Sequence, residues 1–140
     1  MFVEEPNLEN HLKTISIPDW DRLFRFIPTL QQKTVFGRWE GTDQDPYIVP
    51  DAEVEEFFDT IHDLGLMVFF DWTDWTKGKQ AWKNKTYDFQ QMTLPELCKM
   101  ITMLIRGDRF NEGLLVESFD RGIMLRILLA IRQKTPYQDQ

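Results

Sequence analysis

Apolar positions along this chain recur mostly at helical spacing. Trp20, Leu23, Phe24, Ile27 and Leu30 fall at i, i+3, i+4, i+7 and i+10, one continuous stripe. It predicts a helix set up by Pro18, with Asp19 as N-cap, and Pro28 inside the stripe predicts a kink or stop near 26–27. A second stripe, Val54, Phe57, Phe58, Ile61 and Leu64, follows Asp51 as N-cap. Acids crowd its first turns, where the helix dipole favours them, and Gly65 supplies the stop. A third helix opens at Thr93, whose spacing to Glu96 makes a capping box with Pro95 in the tolerant first turn. It buries Leu97, Met100, Ile101, Leu104 and Ile105 before Gly107 interrupts it. Helices are expected over about 109–121, ending at Gly122, and over 123–131, with Ile127, Leu128 and Ile131 inward. Residues 74–86 predict a short polar helix weakened by Gly78.

Strand signals are few. Phe36 and Trp39 flank a glycine-relieved segment over 36–41, and Tyr47-Ile48-Val49 is bracketed by Pro46 and Pro50, which confines it to a short or edge strand. Leu66 to Phe70 is a five-residue apolar run straight after a helix stop and predicts a buried strand. Pairing it with 47–49 across helix 51–64 would make a strand–helix–strand unit, right-handed if parallel. Residues 1–17 carry few periodic apolar positions and predict a loosely ordered N-terminal arm, and 134–140 a frayed polar tail. No linker divides the remainder. The expectation is a single compact domain over 18–133, mostly α with a very small β-sheet (α+β), of about five helices.

Composition fits that picture: 140 residues and 16.8 kDa make one domain, with 42% hydrophobic and 28% charged residues. A single cysteine, Cys98, excludes an intrachain disulfide framework and a Cys-based zinc site. No apolar run approaches the roughly 18 residues of a membrane span. The opening MFVEEPNLEN is acidic rather than signal-like, so a cytoplasmic, membrane-free protein is expected. A net charge of -7 disfavours direct nucleic-acid binding, which needs surplus Lys and Arg. Between Arg38 and Lys77 there is no Lys or Arg but there are 11 acids, and from Lys99 to Lys134 the balance turns basic. Either the two segments cover each other in the fold, or the 40–74 face meets a basic protein partner, as a phage- or mobile-element-encoded inhibitor would.

No Gly-rich phosphate loop, nucleophile elbow or metal-ligand spacing is present, so neither metal nor cofactor is expected and no catalytic residue is assigned. His62 reads as a surface cation near a helix C-terminus, and Cys98 as a small core hydrophobe. What stands out is Arg106-Gly107-Asp108-Arg109-Phe110-Asn111-Glu112-Gly113. It is either an ion-paired helix junction, in which Asp108 caps a helix while Glu112 or Asp71 holds an arginine, or an arginine-lined pocket. Guanidinium groups recognise carboxylate and phosphate in a bidentate way. Oligomeric state is not legible.

Read together, Phe36-Gly37-x-Trp39, Pro46-Tyr47, Phe70-Asp71-Trp72 with Trp75, Arg106-x-Asp108-Arg109-Phe110-x-Glu112-Gly113 and Gly122-Ile123 resemble the uncharacterised bacterial DUF6508 family over about residues 22–132. The resemblance implies that these residues share one design and supplies no chemistry. The expected ligand-binding set is Trp39, Asp71, Trp72, Trp75, Arg106, Asp108, Arg109 and Glu112, in a non-catalytic binding module for a small anionic or planar ligand. The alternatives are the acidic interaction module and a small enzyme using Asp108, Glu112 or Asp71 as acid and base.

Overall fold

A computed structural model of the chain describes residues 2–136. Val3–Glu4 (β1) opens the fold, followed by Leu8–Thr14 (α1), Ile17–Phe24 (α2) and Phe26–Gln32 (α3). A hairpin of Gly37–Gly41 (β2) and Pro46–Pro50 (β3) leads into Ala52–Leu64 (α4) and then Val68–Phe69 (β4). Thr76–Lys83 (α5), Leu94–Gly107 (α6), Leu114–Asp120 (α7) and Ile123–Gln133 (α8) complete a mostly helical domain with two small two-stranded sheets. The last helix is central: it packs against α2, α3, α6 and α7, with Met124, Ile127, Leu128 and Ile131 shut off from solvent. No helix among the described residues is long and apolar enough to cross a membrane.

The helices number more than about five because short segments fold too. The stripe of 20–30 is fully buried as predicted, but it is carried by two helices. Pro28 has no N–H to offer the Phe24 carbonyl and its ring would crowd it, so α2 stops at Phe24 and α3 restarts with Pro28 in its first turn. Ser16, not Asp19, caps α2: its Oγ accepts from the Asp19 N–H at 3.2 Å. The N-terminal segment is folded rather than loosely ordered. Leu8 and Leu12, one helical turn apart, are buried, and the Val3 N–H donates to the Met67 carbonyl at 2.8 Å. Two apolar positions in a seven-residue helix are too few to register as periodicity. At the other end, Thr135 is buried and Lys134 Nζ donates to the Gln90 carbonyl, so the tail is fastened that far; residues 137–140 of the expected frayed tail lie outside the described residues.

The strand pairing departs from the predicted unit. β3 pairs antiparallel with β2, Trp39 opposite Ile48, and β4 pairs in parallel with β1, Val3 opposite Val68. A four-residue connection costs less closure entropy than a crossover, so the hairpin forms locally. On its other side β4 meets a helix: the Val68 N–H donates to Thr102 Oγ1 of α6 at 3.0 Å. Gly65, the stop of α4, has φ +69, and the space where a side chain would stand is taken by His11, whose Nε2 lies 2.9 Å from the Leu64 carbonyl.

Candidate functional site

After α6 the chain does not continue as a helix from 109, as the spacing predicts. It turns over 108–113 and α7 begins at Leu114. Asp108 organises the turn. Its Oδ1 accepts from the N–H groups of Gly113, at 3.1 Å, and Leu115, at 3.0 Å, which caps α7 from upstream. Gly113 has φ +96, and the Trp39 ring occupies the space where its side chain would be. Glu112 Oε2 accepts from the Ile48 N–H at 3.0 Å and so ties the turn to the hairpin. Asp71 accepts from the Thr73 hydroxyl at 2.6 Å, which holds its carboxyl below the usual range. Neither carboxylate holds an arginine. The Arg106 guanidinium lies over the Phe2 ring, 5.1 Å from its centroid, and Arg109 is exposed. Neither arginine belongs to the ion pairs found among the described residues. The expected ion-paired junction is instead built from carboxylate-to-backbone hydrogen bonds.

Arg106, Asp108 and Arg109 come together on one wall of a cleft of about 470 Å³. That is within the size range of small-ligand sites, about 300–1,000 Å³. The opposite wall is α4, which contributes Glu55, Phe58, Asp59 and His62, and the floor is apolar, from Val54, Met67, Ile105 and Leu115. His62 is half-buried between aromatic rings, 4.5 Å from the Phe58 centroid and 6.3 Å from that of Phe2. The reading of His62 as a surface cation misses this setting, and α4's contribution as a whole was not foreseen. Its signal is in the sequence: Glu55, Phe58, Asp59 and His62 fall at i, i+3, i+4 and i+7, a second stripe beside the core-facing one.

The expected tryptophans stand elsewhere. Trp72 lines a separate cleft against Leu104 and Gly107, on the other face of α6 from Arg106. Trp39 is 56% exposed and covers Gly113, and Trp75 packs with Phe70, Gly78 and the Lys99 ammonium, 5.0 Å from its ring centroid. Lys99 also pairs with Glu5 at 2.8 Å, which fastens the N-terminal segment to α6.

The acidic tract is partly neutralised from the first 38 residues rather than from the basic 99–134 segment. Arg22 pairs with Asp63 at 2.9 Å, Lys33 with Asp51 and Glu53 at 2.6 Å, and Arg38 with Glu40. Cys98 is fully buried, which pushes its thiol up to about 12 and leaves it a packing residue at neutral pH. Among the described residues, no cluster of three or more His, Cys, Asp or Glu side chains could hold a metal ion.

A small, mostly helical domain whose ligand-sized cleft opens beside an arginine-bearing turn is the class of protein defined by this fold. The turn carries the Arg-x-Asp-Arg-Phe-x-Glu-Gly run, and the chain belongs to DUF6508, a family of unknown function whose model matches residues 15–135. No curated protein and no solved structure matches it.

Proposed function

We propose that this domain is a non-catalytic binding module whose ligand sits in the cleft between α4 and the end of α6. The observation that carries the reading is that Arg106 and Arg109 reach the same cleft without an ion-pair partner among the described residues. An unpaired guanidinium beside an apolar floor is a carboxylate or phosphate receptor. The facing wall refines the ligand. Glu55 and Asp59 stand opposite the arginines, so a ligand with an anionic group at one end and a cationic or donor group at the other matches both walls. Amino acids and short peptides have this form. Phe58 and His62, rather than the tryptophans, supply the flat surface. The carboxylates considered for acid–base work are engaged otherwise, Asp108 and Glu112 by backbone N–H groups and Asp71 by Thr73, which favours binding over chemistry.

The acidic interaction module is less well supported, because Glu40, Asp51, Glu53 and Asp63 are already paired within the chain. The test is a thermal-shift screen against amino acids, their carboxamides, dicarboxylates and nucleoside monophosphates. A ligand at 100 times its Kd adds about 2.7 kcal/mol, a shift of several degrees. The expected result is stabilisation by an amino carboxylate but not by its carboxamide, lost in Arg109→Ala. No shift from any compound, or a shift that survives Arg109→Ala, would overturn the reading.

A further inference from the structure

The structure assigns a second, independent ligand site, which we propose takes a planar aromatic anion of one or two rings. It lies on the opposite face of α6 from the arginine cleft, between α5 and the residues that follow α6. Trp72 and Trp82 line it over a floor that includes Met103, Leu104 and Leu114, and its volume is about 210 Å³. An apolar cavity of about 150 Å³ holds a benzene ring, so this space fits one ring or a fused pair. Its walls are preorganised. The Arg121 guanidinium stacks 4.4 Å from the Trp82 centroid, donates to the Trp82 carbonyl and is itself held by Glu117 at 3.1 Å. The Trp72 ring is backed by Phe110, with centroids 5.8 Å apart.

The charge of the occupant follows from the rim. Lys79, Trp82 and Lys83 fall at i, i+3 and i+4 on α5, so both ammonium groups stand on the face that carries the indole. Both lysines are exposed, and neither belongs to an ion pair among the described residues. In a chain of net charge -7, two lysines without ion-pair partners on the lining of a cleft that also holds two indoles form a local field that favours an anion. Ring stacking in the cleft and an acidic substituent at the rim satisfy both features.

The test uses the full chain labelled at the tryptophan indole nitrogens, titrated with 1-naphthoate and with the uncharged 1-naphthalenemethanol. The indole signals are assigned with single Trp→Phe variants. Naphthoate is expected to displace the Trp72 and Trp82 signals saturably and to bind roughly fivefold tighter than the alcohol, the sum of two exposed charge contacts. The doubly substituted Lys79→Gln, Lys83→Gln variant, altered only at exposed positions, should erase that difference, while Arg109→Ala should leave it intact. The proposal is overturned if those signals do not move, if the two compounds bind equally, or if the difference survives in the lysine variant. Naphthoate binding lost in Arg109→Ala would place the compound in the arginine cleft and overturn it as well.

Discussion

Asp108 offers the sharpest test of how the turn is built, because one carboxylate oxygen accepts two backbone N–H groups, from Gly113 and Leu115. Substituting alanine removes the one oxygen that accepts both bonds, and with it the cap of α7. A hydrogen bond to a charged acceptor contributes about 1.5–3 kcal/mol when buried, and an N-cap about 1 kcal/mol. Asp108 is half-buried, so water replaces part of what is lost, and the expected cost of Asp108→Ala is about 2 kcal/mol. In a domain of this size that lowers Tm by roughly 6–10 °C. Asp108→Asn keeps the oxygen and loses the charge, so about half of the loss should be recovered. Urea unfolding followed by far-UV circular dichroism measures both variants against the wild type. An alanine variant within about 0.5 kcal/mol of wild type would refute the two-bond account, that being the range of an ordinary surface substitution. An asparagine variant as damaged as alanine would show that charge, not the acceptor geometry, holds the turn.

Two further outcomes are expected. Thr102→Val keeps the shape of a fully buried side chain but leaves the Val68 N–H without an acceptor, at a cost of about 1–3 kcal/mol; Thr102→Ser should restore most of it. Hydrogen exchange at Val68 should report the same change locally. Hydrogen bonds to Asp51 and Glu53 raise the pKa of Lys33 above its usual 10.5, and the bond from Lys33 lowers that of Glu53 below its usual 4.5. The lowered acid stabilises the fold above pH 4.5 and loses that contribution as pH falls through its folded value. The raised base contributes fully below pH 10.5 and loses it as pH rises further. The stability gap between wild type and Lys33→Gln should therefore be flat at neutral pH and close at both extremes; a gap unchanged at pH 3 would contradict the pairing.

The parts of the fold legible from sequence are those in which one helix buries one stripe. The stripes of α2 with α3, α4, α6 and α8 are in the core, except that Phe58 of α4 is half-buried and lines the cleft, and the Thr93–Glu96 capping box is formed in both directions. What was not legible depends on contacts distant in sequence. The β1–β4 pair joins residues 3–4 to 68–69, and no local pattern announces a two-residue strand. The 108–113 turn reads as helix because Arg109 to Glu117 contains no proline. Only Gly113, together with a carboxylate five residues before it, marks the reversal. The candidate cleft was half legible: the arginine run on one wall stands out in the sequence, but the opposite wall belongs to a helix already assigned to the core. The tryptophans were grouped with it through the family resemblance, whereas helical geometry places residues 103, 104 and 107 on one face of α6 and 105 and 106 on the other.

The hydrogen bond from Ile48 to Glu112 bears on self-association. In an antiparallel ladder, alternate residues direct their backbone groups inward and outward, and Ile48, whose N–H leaves the hairpin toward Glu112, is an outward position of β3. The other outward positions are Pro46 and Pro50, which have no N–H. Every outward donor of that strand is thus either missing or occupied. A second chain that approaches from that side finds carbonyl acceptors and no complementary donors, so it cannot extend the ladder. The carboxylate that ties the turn to the hairpin also closes the last position at which strand addition could begin, leaving the β2 side as the hairpin's one edge with donors to offer.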